Sequence, residues 1–212
     1  MSENEEDKNS RDHNNIKIIL LGESHVGKTS LINSYLGIAF NNHEQQTLSE
    51  NKTKMCLKIN NSKKYSLFIW DTMGQERYRS ITKSFLRDSN IIIYVYDITQ
   101  RVSFLELNYW INIVSEELGD ENLVFGLAAN KMDIFDQSDV DLEEGKKEAE
   151  KIGALFAETT AKDNPKGFVA FVNELLKKYF LKKNIKVEKI EVSKAEDTNE
   201  EVKHKKRKKN CC

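Results

Sequence analysis

Gly22-Glu23-Ser24-His25-Val26-Gly27-Lys28-Thr29 is the stretch on which the fold turns. It matches G-x-x-x-x-G-K-[ST], and its surroundings are those the pattern requires. The apolar run Ile16–Leu21 precedes it as a strand, and Lys28–Gly37 follows it as a helix. Glycines let backbone N–H groups curl around a phosphate, and the helix N-terminus adds a favourable dipole. Lys28 is placed to reach the β- and γ-phosphates of a nucleotide, and the Thr29 hydroxyl to ligate Mg²⁺. Glu23, Ser24, His25 and Val26 line the loop, and Ser30 continues the helix beside it. An ordinary glycine turn is the plain alternative, and the strand and helix on either side argue against it.

Downstream, strand-like and helix-like segments alternate to about residue 181. In Thr53–Ile59 the odd positions Met55, Leu57 and Ile59 are apolar, the pattern of an edge strand. Asn60-Asn61-Ser62 turns the chain into a second strand, Lys64–Trp70. Ile91–Tyr96 and Leu123–Ala129 are nearly unbroken apolar runs, as in parallel strands covered on both faces. Ser103-Phe104-Leu105-Glu106 resembles a capping box that opens a helix. Another helix spans about 142–152 and ends at Gly153, with a short strand, Ala154–Glu158, behind it. The last helix starts at Asn164-Pro165 and carries Phe168, Phe171, Val172, Leu175, Leu176 and Tyr179 on one face. The order predicts a doubly wound sheet with one antiparallel edge strand, which binds ligands at the carboxyl ends of its strands.

Asn130-Lys131-Met132-Asp133 follows one of those buried strands and so falls at that end. A carboxylate at Asp133 accepts from both guanine N1–H and N2–H₂, a donor pair that adenine lacks. A base that leaves a buried carboxylate unpaired is strongly rejected. Asn130 is expected to tie the base pocket to the phosphate loop, and the Lys131 stem to cover a face of the base. A solvated loop is the bland reading of N-K-x-D alone; its position behind the phosphate loop favours guanine.

Together these motifs resemble the Ras-like small GTPases over residues 16–181. The resemblance implies a P-loop NTPase fold: α/β, a doubly wound, mostly parallel six-stranded sheet with one antiparallel edge strand and helices on both faces. It further implies that Asp71 holds Mg²⁺ together with Thr29 and Thr47. Gly74 would offer its N–H to the γ-phosphate, and Gln75 would orient the attacking water, so Gln75, Lys28 and Gly74 are the catalytic residues expected. Glu158-Thr159-Thr160-Ala161-Lys162 looks like the family's guanine-reading loop, with Thr160 in place of serine or alanine. Phe40 falls where the family sets an aromatic ring against the base, although a loop hydrophobe fits it nearly as well. Trp70-Asp71-Thr72, Gln75–Thr82 and the ending Cys211-Cys212 look most like the Rab branch, which directs vesicle traffic. From that follow slow GTP hydrolysis that needs an activating protein, an exchange factor, effectors, and prenylation of Cys211 and Cys212. A non-hydrolysing nucleotide-bound membrane scaffold is the alternative from another class; a P-loop kinase ranks last, since no substrate lid is visible.

Four residues depart from the Rab pattern. Ser49 replaces a glycine, Lys52 stands where an aromatic would join Trp70 and Tyr78 in the partner-binding face, Met73 replaces an alanine, and His25 enlarges the phosphate loop.

Composition frames these readings. The chain has 212 residues, is 39% hydrophobic and 32% charged, and carries a net charge of −1, so no global field points to nucleic acid. Residues 1–15 hold five acids against Lys8 and Arg11 and are expected to be a disordered acidic arm. Residues 182–212 are expected to be a flexible tail whose end, 203–209, holds six Lys/Arg. That cluster and the terminal cysteines suggest attachment to the cytoplasmic face of an intracellular membrane, cycling with cytosol. A solvated tail or a nuclear-localisation cluster is the plainer reading. Cys56 reads as a small buried hydrophobe, and no disulfide framework is visible. No signal peptide, myristoylation site or membrane-spanning run is expected, and the protein is expected to be a monomer.

Overall fold

The computed structural model describes residues 14–41, 51–61, 63–71, 83–119 and 123–194. Seven strands form one sheet: β1 (Asn15–Leu21), β2 (Asn51–Ile59), β3 (Lys63–Asp71), β4 (Ile91–Asp97), β5 (Val124–Asn130), β6 (Leu155–Glu158) and β7 (Ile190–Lys194). Their order is β6-β5-β4-β1-β3-β2-β7. Pairings from β6 through β3 are parallel, whereas β3–β2 and β2–β7 are antiparallel. This is the doubly wound P-loop NTPase fold expected, with one correction. The sheet has seven strands rather than six, and β2 is not its edge.

The extra strand lies in the stretch that sequence reading assigned to a flexible tail. Ile190 and Val192 alternate with Glu191 and Ser193, too short a run to stand out among the surrounding Lys and Glu. The structure shows what recruits it. Ile185, Val187, Ile190 and Val192 pack against the core. Asn60, in the β2–β3 turn, grips the segment that leads into β7: its Nδ2 donates to the Lys186 carbonyl at 2.9 Å, and its Oδ1 accepts from the N–H groups of Glu188 and Lys189. Asn60 and Asn61 take φ of 50° and 60°, a left-handed conformation that asparagine tolerates well.

Helices cover both faces. α1 (Lys28–Tyr35) and α6 (Pro165–Lys182) lie on one side. There Leu31 and Ile32 meet Phe168, Phe171, Val172, Leu175 and Leu176 in a single buried cluster, and every residue of the predicted α6 face is buried. α2 (Lys83–Leu86), α3 (Arg101–Leu105), α4 (Leu107–Leu118) and α5 (Leu142–Lys151) follow in the chain, and Phe85, Leu107, Trp110, Val114 and Ala149 make the core of the other side. All of β4 is buried, which explains its unbroken apolar run.

Two local expectations change. Ser103 does not open a helix; it lies inside α3, where its hydroxyl donates to the Gln100 carbonyl and accepts from the Asp97 N–H. The capping box is instead at α5, where Asp141 and Glu144 satisfy each other's backbone N–H groups. Cys56 is only half-buried, because Met55, Leu57 and Ile59 take the core face of β2 and leave it on the opposite one. Among the described residues, no helix is long and apolar enough to cross a membrane.

Candidate nucleotide site

The carboxyl ends of β1, β3, β4, β5 and β6 lie along one edge of the sheet, and β1 sits between β3 and β4 where the winding reverses direction. Such a switch point opens a crevice for ligand. The phosphate loop leaves β1 there. Gly22 has φ 151° and Gly27 φ 95°. A Cβ at Gly22 would collide with the Val95 carbonyl oxygen, and one at Gly27 would meet the Asn130 amide at 2.5 Å. Both positions therefore need glycine, and His25 holds a left-handed φ of 62° between them, out in solvent.

Lys28 lies at the first turn of α1 and is 5% exposed. Its Nζ donates to the carbonyls of Gly22 and Glu23 at 2.8 and 2.7 Å, so the loop closes over its own lysine. Burial lowers its pKa from 10.5 to about 8, partly offset by the nearby carboxylates of Asp71 and Glu23. A phosphate is the group that would offset the rest. Thr29 Oγ1 donates to Asp71 Oδ2 at 2.7 Å, bringing together two of the three predicted Mg²⁺ ligands. A hydroxyl and a carboxylate are hard oxygen donors, and two such protein oxygens joined by phosphate oxygens would suit Mg²⁺. Bound there, the ion would offset phosphate charge and hold the phosphate in place. Glu23 has a partner that sequence reading missed: Trp110 Nε1 on α4 donates to its Oε1 at 3.3 Å.

The base-reading residues sit two strands away. Asn130 is 2% exposed, and its Nδ2 donates to the Val26 carbonyl at 2.7 Å, the tie to the phosphate loop that was anticipated. Its Oδ1 accepts from Thr159 Oγ1 at 3.2 Å. Asp133 Oδ1 accepts from Thr160 Oγ1 at 2.7 Å, and Lys162 Nζ stands 3.9 Å from Oδ2. Thr160 Oγ1 in turn accepts from the Lys162 N–H at 3.2 Å, which closes the loop that holds buried Ala161. The hydroxyl of Thr160, which replaces the family's usual residue, thus holds the carboxylate expected to read guanine.

Lys131 has a left-handed φ of 69°, and its ammonium pairs with Asp97 at 2.7 Å. Asp97 is fully buried, ends β4, and is in register with Asn130. This pair fixes the lysine stem at the base end. Sequence reading passed over Asp97, although a carboxylate closing an otherwise apolar buried strand is a signal. Phe40 is 40% exposed and makes no ring contact with a described residue. Ser24 and Ser30 are half-buried. Thr47, Gly74 and Gln75, with Ser49, Met73 and Tyr78, lie outside the described residues, as do Cys211 and Cys212.

A strand–loop–helix that wraps its own lysine, a hydroxyl–carboxylate pair suited to a divalent ion, and a held carboxylate two strands away are together the parts of a nucleotide-binding site. The family model described as Ras family matches residues 17–180. The chain therefore belongs to the Ras family of GTP-binding switch proteins.

Proposed function

We propose that this protein is a Rab-type switch. It binds GTP and GDP with Mg²⁺, hydrolyses GTP slowly until an activating protein acts, and works in vesicle traffic at the cytoplasmic face of an intracellular membrane. The observation that carries the nucleotide–Mg²⁺ reading is the Thr29–Asp71 pair at 2.7 Å beside buried Lys28, which gathers at one point the groups that a metal–phosphate complex needs, and the hydrolytic reading rests on Gln75 in the sequence. The Rab assignment rests on Trp70-Asp71-Thr72, Gln75–Thr82 and the two terminal cysteines behind a basic cluster. One prenyl chain holds a protein marginally, while two lipids with six Lys/Arg hold it firmly. Because β7 ends at Lys194, only residues 195–202 separate the sheet edge from that cluster, a shorter tether than the tail read from sequence.

Single-turnover GTP hydrolysis, alone and with a cell extract that supplies activating protein, tests the cycle. An arginine supplied in trans accelerates Ras-type hydrolysis by about 10³–10⁵-fold. Stimulated turnover should disappear in Gln75→Leu; a variant as fast as wild type removes Gln75 from the mechanism. Membrane fractionation of wild type beside Cys211→Ser/Cys212→Ser tests the anchor, and equal membrane association of the two would defeat it.

A further inference from the structure

The β2–β3 hairpin turns one face to the interior and the other to solvent. The solvent face is set by register: Lys52 stands opposite Trp70, Lys54 opposite Phe68, Cys56 opposite Ser66, and Lys58 opposite Lys64. Four ammonium groups thus share one face with two half-buried aromatic rings. Lys52 Nζ lies 4.1 Å from the Phe68 ring centroid and 5.2 Å from that of Trp70, and Lys54 reaches Phe68 at 6.0 Å. None of Lys52, Lys54, Lys58 and Lys64 forms an ion pair with a described residue. On β7, Glu191 stands in register with Lys58; it is paired with Lys189 at 2.7 Å and also feels the charge of Lys58.

Like charges placed directly across an antiparallel pair are destabilising, and Lys58 with Lys64 is such a pair. The backbone positions of Lys52 and Lys54 repeat at the strand's two-residue period, about 6.8 Å. Carboxylates on alternate residues of an extended peptide repeat at the same spacing. The face also has a fixed place in the molecule. β2 begins where residues 42–50 end, and β3 ends where 72–82 begin, so the hairpin joins the stretch that carries Thr47 to the one that carries Gly74 and Gln75, the residues expected to meet Mg²⁺, the γ-phosphate and the attacking water.

We propose that this face docks an acidic, extended segment of a partner protein. Glutamate or aspartate side chains meet Lys52, Lys54, Lys58 and Lys64, and an interspersed apolar side chain meets the Phe68 and Trp70 rings. Lys52 is the specificity-determining residue. With its ammonium over both rings, it offers a cation where an aromatic would present an apolar surface, so the partner is chosen by charge. Nucleotide dependence of the contact rests on the switch reading above; the acidic chemistry does not.

The test uses the full chain with Mg²⁺, loaded with a non-hydrolysable GTP analogue or with GDP. Fluorescence anisotropy reports binding of a short labelled peptide that alternates Glu with Leu, beside a control with Lys in place of Glu. The analogue-loaded protein should bind the Glu peptide, ignore the Lys peptide, and weaken as salt rises. Lys52→Glu/Lys54→Glu, exposed and outside the nucleotide site, should lose about tenfold or more in affinity while binding GTP as wild type does. Equal binding of both peptides, or an undiminished double variant, overturns the proposal. So does retention on phosphatidylserine vesicles, abolished by the same substitutions, with no peptide binding; that result makes the face a membrane contact. Peptide binding that needs removal of residues 1–13 or 195–201 overturns it in favour of an acidic segment of this chain. Guanine titration of the same samples separates the two readings: no nucleotide binding defeats the switch, whereas equal peptide binding by the GDP and analogue forms defeats only the gating.

Discussion

The base end and the phosphate end of the site stand on one edge of one sheet, yet their polar groups are satisfied differently. At the base end, Asn130, Lys131 and Asp133 each have a protein partner in place: the Val26 carbonyl, Asp97 and the Thr160 hydroxyl. At the phosphate end, Lys28 is buried against two carbonyl oxygens, and its charge is held at a cost that burial imposes. The residues expected at the base end are held by protein partners, an arrangement suited to selection. At the phosphate end burial disfavours the charged form of Lys28, so an anion beside it would favour that charge. Affinity should therefore come mainly from phosphate, and discrimination from the base.

The sharpest way to break this contrast is Lys28→Met. Removing a charge-assisted donor from two phosphates should weaken GTP by about 3–6 kcal/mol, roughly 100-fold or more. The nucleotide-free protein should respond in the opposite direction. A fall in pKa from 10.5 to about 8 corresponds to about 3 kcal/mol of lost stability at neutral pH. Because the folded value is the lower one, the penalty is full below pH 8 and is relieved as pH rises towards 10.5. Thermal unfolding across that window should show wild-type stability rising relative to Lys28→Met, which lacks this titration. Parallel curves would refute the buried-charge account.

Asp133→Asn should come next, at about 2–4 kcal/mol against GTP, because it exchanges a charged acceptor for a neutral amide. Xanthine nucleotides should gain what guanine loses. Competition with GTP, XTP and ATP decides it, and an unchanged order of affinity would place base recognition elsewhere.

Thr160→Ala should be milder, about 1 kcal/mol or a few-fold in GTP affinity, since it frees Asp133 without removing it. Thr160→Ser should restore wild-type behaviour, and the GTP-to-ATP ratio is the informative readout. Smallest of all should be Trp110→Phe, which removes the 3.3 Å bond to Glu23 at the phosphate end. It should alter GDP and ADP binding by a similar small factor, below about 1 kcal/mol, and leave their ratio intact. A change in that ratio would mean that the two ends are coupled rather than separate.

The sequence carried the frame of both ends. Gly22, Gly27, Lys28 and Thr29 are legible because the loop is contiguous and its glycines answer a local backbone demand. Asn130 and Asp133 are legible because they follow a buried strand, and the α6 face because helical spacing repeats. Less legible were the groups that aim these residues. Thr160 stands 27 residues from Asp133, Trp110 stands 87 from Glu23, and no local pattern links either pair. β7 was missed for a related reason: five residues of weak alternation become a strand only when β2 offers an edge and Asn60 holds the approach.

By itself, then, the sequence determined the alternating strands and helices, the glycine loop with its lysine, and the position of the carboxylate expected at the base end. Each depends on spacing within a few residues, where backbone geometry dictates the pattern. Tertiary structure alone decided that Asn130 reaches the Val26 carbonyl 104 residues back, that Lys131 is pinned by Asp97, that the sheet has a seventh strand, and that four lysines share a face with Phe68 and Trp70. Those facts depend on strand order and register, which are set when the whole core is buried at once.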